Sequence, residues 1–593
     1  MPRLTIDGQA VDVQPGDTIL TAARKLGLDL PTLCFLERCG PMTSCLVCVV
    51  KVTQNGRSRV VPSCGLRAED GMVVESETDE VRALRRSALE LLFSDHVGDC
   101  LSPCHRICPL DLNVPRMIRQ IDTGQNNEAI ATVRAALALP ATLGRLCHAP
   151  CQNGCRRSGC GGSAAIRDLE RFAADEDLKS PEPCLPPRKT ATGKKVAIVG
   201  AGPAGLAAAY HLLRQGHACV LFDRNAQAGG TLRTQTEEKA LPRDVLDAEI
   251  RQIERLGAEL RLSTALGAGV TLDSLSGQFD AVLLATGELA KADAPFQNSR
   301  GQETFSPKQT GSKHPLTSTL SPSDGARVIE SRPLTPALSP SDGERVSEGR
   351  VRGSLDSGSA GLAVAVTASG VKVDSATYRT SVPKVFAAGS VVKPVKQLVR
   401  AMAEGQAAAE CVHQFLAGWL IRPSPKAFSS VMGRLEDSEL SLFLKLASPA
   451  PRTAPSAGLL FGFTSLEART EAARCLHCDC RAAGSCALQH YAELYGAIPN
   501  RFTRQRRAFR QEVHPADVIF ESGKCILCGI CVEIARAAAE PLGLTFVGRG
   551  FDVQVSAPFG RGFAEGLTRV AADCVAHCPT GAIVFADGKH PKS

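Results

Sequence analysis

The chain has 593 residues, a net charge of +7 at pH 7 and a pI near 8.5. That is a mild charge for a length holding roughly four domains. With only 4% aromatic residues and no Lys/Arg run interleaved with them, it argues against a nucleic-acid partner. No apolar stretch reaches the ~18 residues of a membrane span and no basic–apolar leader opens the chain, so the sequence predicts a soluble, cytoplasmic protein without membrane insertion. The 24 cysteines fall in C-x2-C and C-x3-C groups, a usage that points to metal or cluster ligation rather than disulfides.

Residues 1–95 read as one small unit. Leu4 to Ile6 and Val11 to Val13 flank an Asp7-Gly8 turn, which predicts a hairpin. Asp17 is placed to cap a helix over 18–26. Cys34, Cys45, Cys48 and Cys64 follow with C-x10-C-x2-C-x15-C spacing. Three thiolates from one loop and one from a distant strand end suit a [2Fe–2S] cluster. The spacing resembles the N-terminal cluster domain of the iron–sulfur subunit of respiratory NADH dehydrogenase, which implies a β-grasp ferredoxin fold. Buried structural cysteines are the plain alternative.

Residues 96–185 change to helices that carry cysteines: Cys100-x3-Cys104-x3-Cys108-Pro109, a helical stretch over 114–137, then Cys147-x3-Cys151-x3-Cys155. This resembles the α-helical double-[4Fe–4S] ferredoxin domain of the glutamate synthase small subunit and dihydropyrimidine dehydrogenase. The interleaved pattern of that family implies Cys100, Cys104 and Cys155 for one cluster and Cys108, Cys147 and Cys151 for the other, each set one donor short. The resemblance brings in His96 for the first and Glu170 for the second, with Cys160 as an alternative donor. A surface histidine and a solvated helix charge are the plain readings of those two.

The stretch 194–224 reads strand, glycine loop, helix, strand. Val196 to Val199 is apolar, Gly200-x-Gly202-x-x-Gly205 follows, a helical pattern spans 204–215, and the strand Ala218 to Phe222 ends at Asp223. In that context the glycines let a pyrophosphate approach the backbone at a helix N-terminus, and Asp223 can accept ribose hydroxyls. Asp223-Arg224-x4-Gly229-Gly230-x-Leu232-Arg233 and Ala285-Thr286-Gly287 resemble the landmarks of two-dinucleotide-domain flavoproteins, as does Val385-Phe386-Ala387-Ala388-Gly389. The resemblance implies a Rossmann-like FAD domain, residues 190–290 and 361–418. It assigns cofactor contacts to Gly200, Gly202, Gly205, Asp223, Arg224, Gly230, Arg233, Thr286, Gly287, Gly389 and Ser390. Ser390 stands where the family has Asp.

Where the glutamate synthase small subunit carries its NADPH-binding domain, residues 291–360 hold no second glycine fingerprint. They contain an imperfect 18-residue repeat, starting at Pro315 and again at Pro333, in a Pro/Ser/Gly-rich context that predicts a disordered insertion. A helix is expected over 395–416 and a linker over 419–464.

Residues 465–593 return to cysteines. Cys475-x2-Cys478-x-Cys480-x5-Cys486 resembles the second cluster site of the respiratory subunit, usually His-x3-Cys-x2-Cys-x5-Cys. Glu471 stands at the histidine position. Cys480 replaces it, with His477 as the alternative. Cys525-x2-Cys528-x2-Cys531 closes with Cys578, in Cys-Pro-x-Gly-Ala, a ferredoxin-like signature; a zinc ribbon is the runner-up for either group. The fold class is therefore α/β multidomain, with β-grasp [2Fe–2S], α-helical ferredoxin, Rossmann-like FAD and C-terminal [4Fe–4S] ferredoxin-like domains. The cofactors implied are FAD, one [2Fe–2S] and three to four [4Fe–4S] clusters. The function expected is the electron-transfer subunit of a larger oxidoreductase, partnered by an NAD(P)H-oxidising flavoprotein, a molybdenum enzyme or a hydrogenase. The alternatives are a self-sufficient NAD(P)H-dependent reductase and a non-catalytic cluster scaffold with a decayed flavin site.

Overall fold

The computed structural model describes residues 1–288, 362–424, 426–458, 460–502 and 506–586; the repeat-bearing insertion expected over 291–360 lies outside them. In the N-terminal unit, β1 (Arg3–Ile6) and β2 (Gln9–Asp12) form the expected hairpin. Asp7 and Gly8 both adopt positive φ, as a two-residue turn matched to strand twist requires. Helix α1 (Ile19–Lys25) crosses a mixed sheet of order β2-β1-β5-β3-β4, in which β3 is Val49–Gln54, β4 Arg57–Pro62 and β5 Val73–Glu75. The cap differs from expectation. The Thr18 hydroxyl accepts from the Thr21 N–H at 3.2 Å, whereas Asp17 accepts from Gln14 N and Lys25. Helix α2 (Asp79–Ser94) ties this unit to the C-terminal one. Its fully buried Arg85 donates to the Val49 carbonyl and, at 2.6 Å, to the Tyr495 hydroxyl.

The helical stretch over 114–137 is two helices, α3 (Val114–Asp122) and α4 (Asn126–Ala136). The break falls at Gly124, whose φ of +73° ends the first helix in the left-handed conformation that glycine adopts without strain. Helices α5 (Pro140–Leu146) and α6 (Ile166–Leu178) complete the unit. Among the described residues no single helix is long and apolar enough to cross a membrane.

The central unit is a parallel sheet of order β8-β7-β6-β9-β10. Its strands are β6 (Lys195–Val199), β7 (Ala218–Phe222), β8 (Ala258–Arg261), β9 (Ala281–Leu284) and β10 (Val385–Ala387). Four of these are near-continuous apolar runs, as strands covered on both faces require. Helix α7 (Pro203–Arg214) leaves the glycine loop, α8 (Arg243–Arg255) precedes β8, and α9 (Leu398–Leu416) packs on α7. That packing depends on Gly405, where a Cβ would come within 2.2 Å of the Ala204 carbonyl oxygen.

The stretch read as a linker over 419–464 contains helix α10 (Asp437–Leu444), whose Phe443 packs with Val97, Met432, Leu476 and Phe509. Beyond α11 (Ser465–Ala472), the C-terminal unit folds an antiparallel sheet of β11 (Glu512–His514), β12 (Val518–Phe520) and β13 (Ile583–Phe585) against α12 (Ile530–Ala537) and α13 (Ala571–His577).

A buried carboxylate is among the links between the helical and Rossmann units. Glu249 on α8 accepts from the N–H groups of Ala141 and Thr142, at 2.6 and 2.8 Å, and from the Thr142 hydroxyl at 2.6 Å. These are orphan donors of the first turn of α5, so a side chain from one unit caps a helix of the other. Glu249→Ala is expected to destabilise the joined units by about 2–3 kcal/mol, read as a lower urea midpoint for loss of helical circular dichroism.

Candidate functional site: cluster cradles and a dinucleotide seat

Five groups of donors are brought together. Cys34, Cys45, Cys48 and Cys64 are all buried at the edge of the β-grasp sheet. The Cys48 and Cys64 sulfurs are 3.4 Å apart, and the Cys45 N–H donates to the Cys34 sulfur at 3.5 Å. The Cys34 thiol also bonds to the Cys45 and Cys64 side chains, so the four sulfurs form one group, as a [2Fe–2S] cluster held by four thiolates requires. Cys525, Cys528, Cys531 and Cys578 ring one cavity closed by Phe520 and Ile583.

Cys108, Cys147 and Cys151 lie with Glu170. Burial raises the Cys151 thiol, and the nearby Glu170, Cys108 and Cys147 add to this. Glu170 is 7% exposed, its Oε1 has no hydrogen-bond partner, and burial reinforced by Glu249 pushes its carboxyl up to about 8. A buried, unpartnered carboxyl oxygen among three thiols is a ready fourth donor. Cys160, the alternative donor, is half-buried, and its N–H is bonded to the Arg157 carbonyl.

The remaining eight donors group differently from the expectation. Cys104 and Cys155 line one cavity with Cys475 and Cys478. His96 and Cys100 lie instead with Cys480 and Cys486. The Cys480 N–H donates to the Cys100 carbonyl, and the Cys486 thiol, raised chiefly by burial, also feels Cys480 and Cys100. Lys524 bridges this second group. Burial pulls its ammonium down, but Cys480 and Glu521 more than offset this and hold it above its ordinary range. The same lysine, after burial, keeps His96 neutral to about 3, and the His96 Nδ1 has no partner.

The regrouping arises because Cys478 and Cys480 face different surroundings. Asp479 between them is held by both guanidinium nitrogens of Arg119, one at 3.0 Å, on the side of the helical unit. Cys480 turns to the other side, into the core that holds Cys34, Cys45, Cys486 and Cys528. Glu471 is no stand-in for a histidine ligand. It is fully buried and engaged by Arg474 and by the Ala165 and Thr453 N–H groups. His477 faces Arg119, and burial with that neighbour drives its pKa down to about 3. The sequence did carry the signal for the second group: His96-x3-Cys100 and Cys480-x5-Cys486 are the two ends of the respiratory motif, separated by everything between them.

Among the described residues no three donors converge closely enough to hold a single metal ion.

The dinucleotide seat is built at the carboxyl end of β6. Gly200 has φ +110°, and a Cβ there would stand 2.2 Å from the Ala285 carbonyl oxygen; a Cβ on Gly205 would stand 1.9 Å from the Gly200 oxygen. The start of α7 has no side-chain cap, which leaves its N–H groups for a ligand. The Asp223 carboxylate accepts from Ala201 N at 2.7 Å and from Asn225, so it fixes the loop as well as facing it. Gly230 folds over Gly202, Gly287 has φ +83°, and the buried Thr286 hydroxyl has no partner. Gly389 faces Ala204 at the helix start and donates its N–H to Glu404, while the Ser390 hydroxyl accepts from Val395 N. The two arginines expected at the cofactor are differently engaged. Arg233 is tied to the Ala228 carbonyl and to Asp247, and Arg224 is exposed.

Three family models match in series: a 2Fe-2S iron–sulfur cluster binding domain over residues 2–79, the 4Fe-4S domain II of dihydropyrimidine dehydrogenase over 96–181, and an NAD(P)-binding Rossmann-like domain over 198–259. These are the modules of iron–sulfur oxidoreductases. The chain is 39% identical over 207 residues to the NADP(+)-dependent formate dehydrogenase subunit beta of Moorella thermoacetica, a match covering 31% of this chain and 29% of that protein. It is 35% identical over 189 residues to the NADPH-Fe(3+) oxidoreductase subunit beta of Geobacter sulfurreducens, covering 31% and 28%. With the glutamate synthase (NADPH) small chain of Mycobacterium tuberculosis it shares 35% identity over 245 residues, covering 40% and 47%. The chain therefore spans less than half the length of each of these relatives.

The glycine geometry makes a direct prediction. Gly205→Ala should lower the dinucleotide released on denaturation at least ~10-fold, because displacing the loop forfeits more than ~1.4 kcal/mol of binding, while the iron content per chain stays unchanged.

Proposed function

We propose that this chain is an electron-transfer subunit of a cytoplasmic oxidoreductase complex, in which an FAD seat and five iron–sulfur cradles form one relay. The observation that carries this reading is continuity of packing. One apolar core contains Cys104, Cys147 and Cys151 together with the Rossmann residues Ile198, Leu206 and Tyr210. A second contains Cys34, Cys45, Cys480, Cys486 and Cys528, and the segment from Cys475 to Cys480 joins the two. When bound, a flavin exchanges electrons in pairs with a two-electron partner and singly with clusters.

The protein's own residues then hold and insulate. Gly200, Gly202 and Gly205 admit the pyrophosphate, the α7 N-terminus faces it, and Asp223 and Thr286 offer hydrogen bonds. FAD rather than NAD(P)H is favoured by Gly230 closing over Gly202 and by Gly389 lying against the helix start, both in the places that flavoproteins of this type use. Four cradles serve as Cys34/Cys45/Cys48/Cys64, His96/Cys100/Cys480/Cys486, Cys108/Cys147/Cys151/Glu170 and Cys525/Cys528/Cys531/Cys578. Burial keeps water from the cluster positions, and Lys524 supplies a fixed positive charge beside the histidine-bearing cradle. The names of the relatives support a partner that oxidises formate, NAD(P)H or another reductant and that supplies the substrate site.

Anaerobically purified protein is expected to contain one FAD and about 18 iron atoms per chain, the sum for one [2Fe–2S] and four [4Fe–4S] clusters. In a stopped-flow mix with NADPH or NADH alone, the flavin absorbance should hardly change. Rapid bleaching by either nucleotide would make the chain a self-sufficient reductase, and protein without stoichiometric flavin would make it a cluster scaffold.

A further inference from the structure

The cavity lined by Cys104, Cys155, Cys475 and Cys478 has no counterpart in either cysteine pattern read from the sequence. Two of its thiols come from the helical unit and two from a segment that follows the entire Rossmann unit. Its other walls include the apolar side chains of Ile118 and Ile166. The loop that brings in Cys475 and Cys478 is pinned on both sides. Ahead of it, Glu471 accepts from Ala165 N at 2.8 Å, Arg474 donates to the Gly161 and Gly162 carbonyls at 2.6 and 3.0 Å, and Arg157 donates back to the Arg474 carbonyl at 2.7 Å. Behind it stands the Arg119–Asp479 pair.

The loop also shares a backbone device with the other cradles. In Cys475-Leu-His477 the N–H of the third residue donates to the cysteine sulfur at 3.5 Å, and that residue has φ +44°. The same arrangement occurs at Cys525-Ile-Leu527, 3.4 Å with φ +56°, and at Cys147-His-Ala149, 3.4 Å with φ +52°. A non-glycine residue in that conformation is strained by about 1–3 kcal/mol, so three recurrences at cysteines mark a purpose. An amide aimed at sulfur stabilises the thiolate that a cluster needs.

We propose that Cys104, Cys155, Cys475 and Cys478 together hold one [4Fe–4S] cluster, built across the seam between the helical unit and the C-terminal segment. It rests on the relay reading above and completes it, because its four cysteines come from the two segments that also supply the Glu170 cradle and the Cys480/Cys486 half of the His96 cradle. The C-terminal segment thus completes the helical ferredoxin unit by supplying the two thiolates that unit lacks.

Non-additive loss tests the sharing. Full-length protein is purified anaerobically as Cys104→Ser, Cys475→Ser, Cys480→Ser and the double variants Cys104→Ser/Cys475→Ser and Cys104→Ser/Cys480→Ser, with iron, sulfide and EPR measured on each. Cys104→Ser/Cys475→Ser should lose the same ~4 iron atoms as either single variant, and Cys104→Ser/Cys480→Ser about 8, since a [4Fe–4S] cluster carries four irons. Where serine retains the cluster as an oxygen ligand, the same EPR signal should shift in Cys104→Ser and Cys475→Ser, and a different one in Cys480→Ser. The reverse pattern, with Cys104 and Cys480 sharing one loss or one signal, overturns the proposed set while leaving the relay intact. Wild-type protein that binds no iron overturns both.

Discussion

The buried Glu471–Arg474 pair is the interaction on which the arrangement of this chain depends. Both side chains are fully buried and 2.6 Å apart. Each also satisfies backbone groups of other segments, at Ala165 and Thr453 for the carboxylate and at Ala450, Gly161 and Gly162 for the guanidinium. Such a pair adds little net stability over an apolar one, but losing one partner strands a buried charge at a cost of about 3–5 kcal/mol. These contacts hold the C-terminal segment on the helical unit in the observed register. That register decides which cavity Cys475 and Cys478 enter and which one Cys480 enters.

The second constraint is desolvation. Burial raises the thiols of Cys108, Cys151, Cys475, Cys486, Cys525 and Cys528. Without a cationic cluster core these groups stay neutral, and with one they ionise as ligands, so cluster insertion and final packing are coupled. Arg119, Arg156 and Lys524 are fixed positive charges in this sulfur-rich interior, each paired with a carboxylate, at Asp479, Asp99 and Glu521 respectively. The apolar packing around them keeps water away from the sulfur-rich interior.

Much of this was legible in the sequence because it is local. The Asp7-Gly8 hairpin, the strand–glycine loop–helix at Gly200 and the Cys525-x2-Cys528-x2-Cys531 loop are each set by residues within one turn of each other. The cysteines that the structure gathers were legible too, as residue types and spacings. Their partition was not, because partition depends on docking between segments hundreds of residues apart, and interleaved cysteine motifs fit more than one pairing. The choice between Cys478 and Cys480 turns on Asp479 finding Arg119, a contact without any local signature. The helix break at Gly124 and the cap at Thr18 were misread for a smaller reason: helical periodicity continues through the glycine, and Asp17 and Thr18 are both competent caps until the backbone chooses. The motif marks Arg233 without showing its partner within the chain, the Asp247 carboxylate on α8.

The central claim is that flavin and clusters form one electrically connected relay within a single chain. Anaerobic titration of the as-purified protein with titanium(III) citrate, followed by visible absorbance and EPR, tests it most directly. The account predicts uptake of about seven electrons per chain, two by the flavin and one by each of five clusters, with all centres reoxidised together by a single added acceptor. Uptake of about two electrons, confined to the flavin, would contradict it.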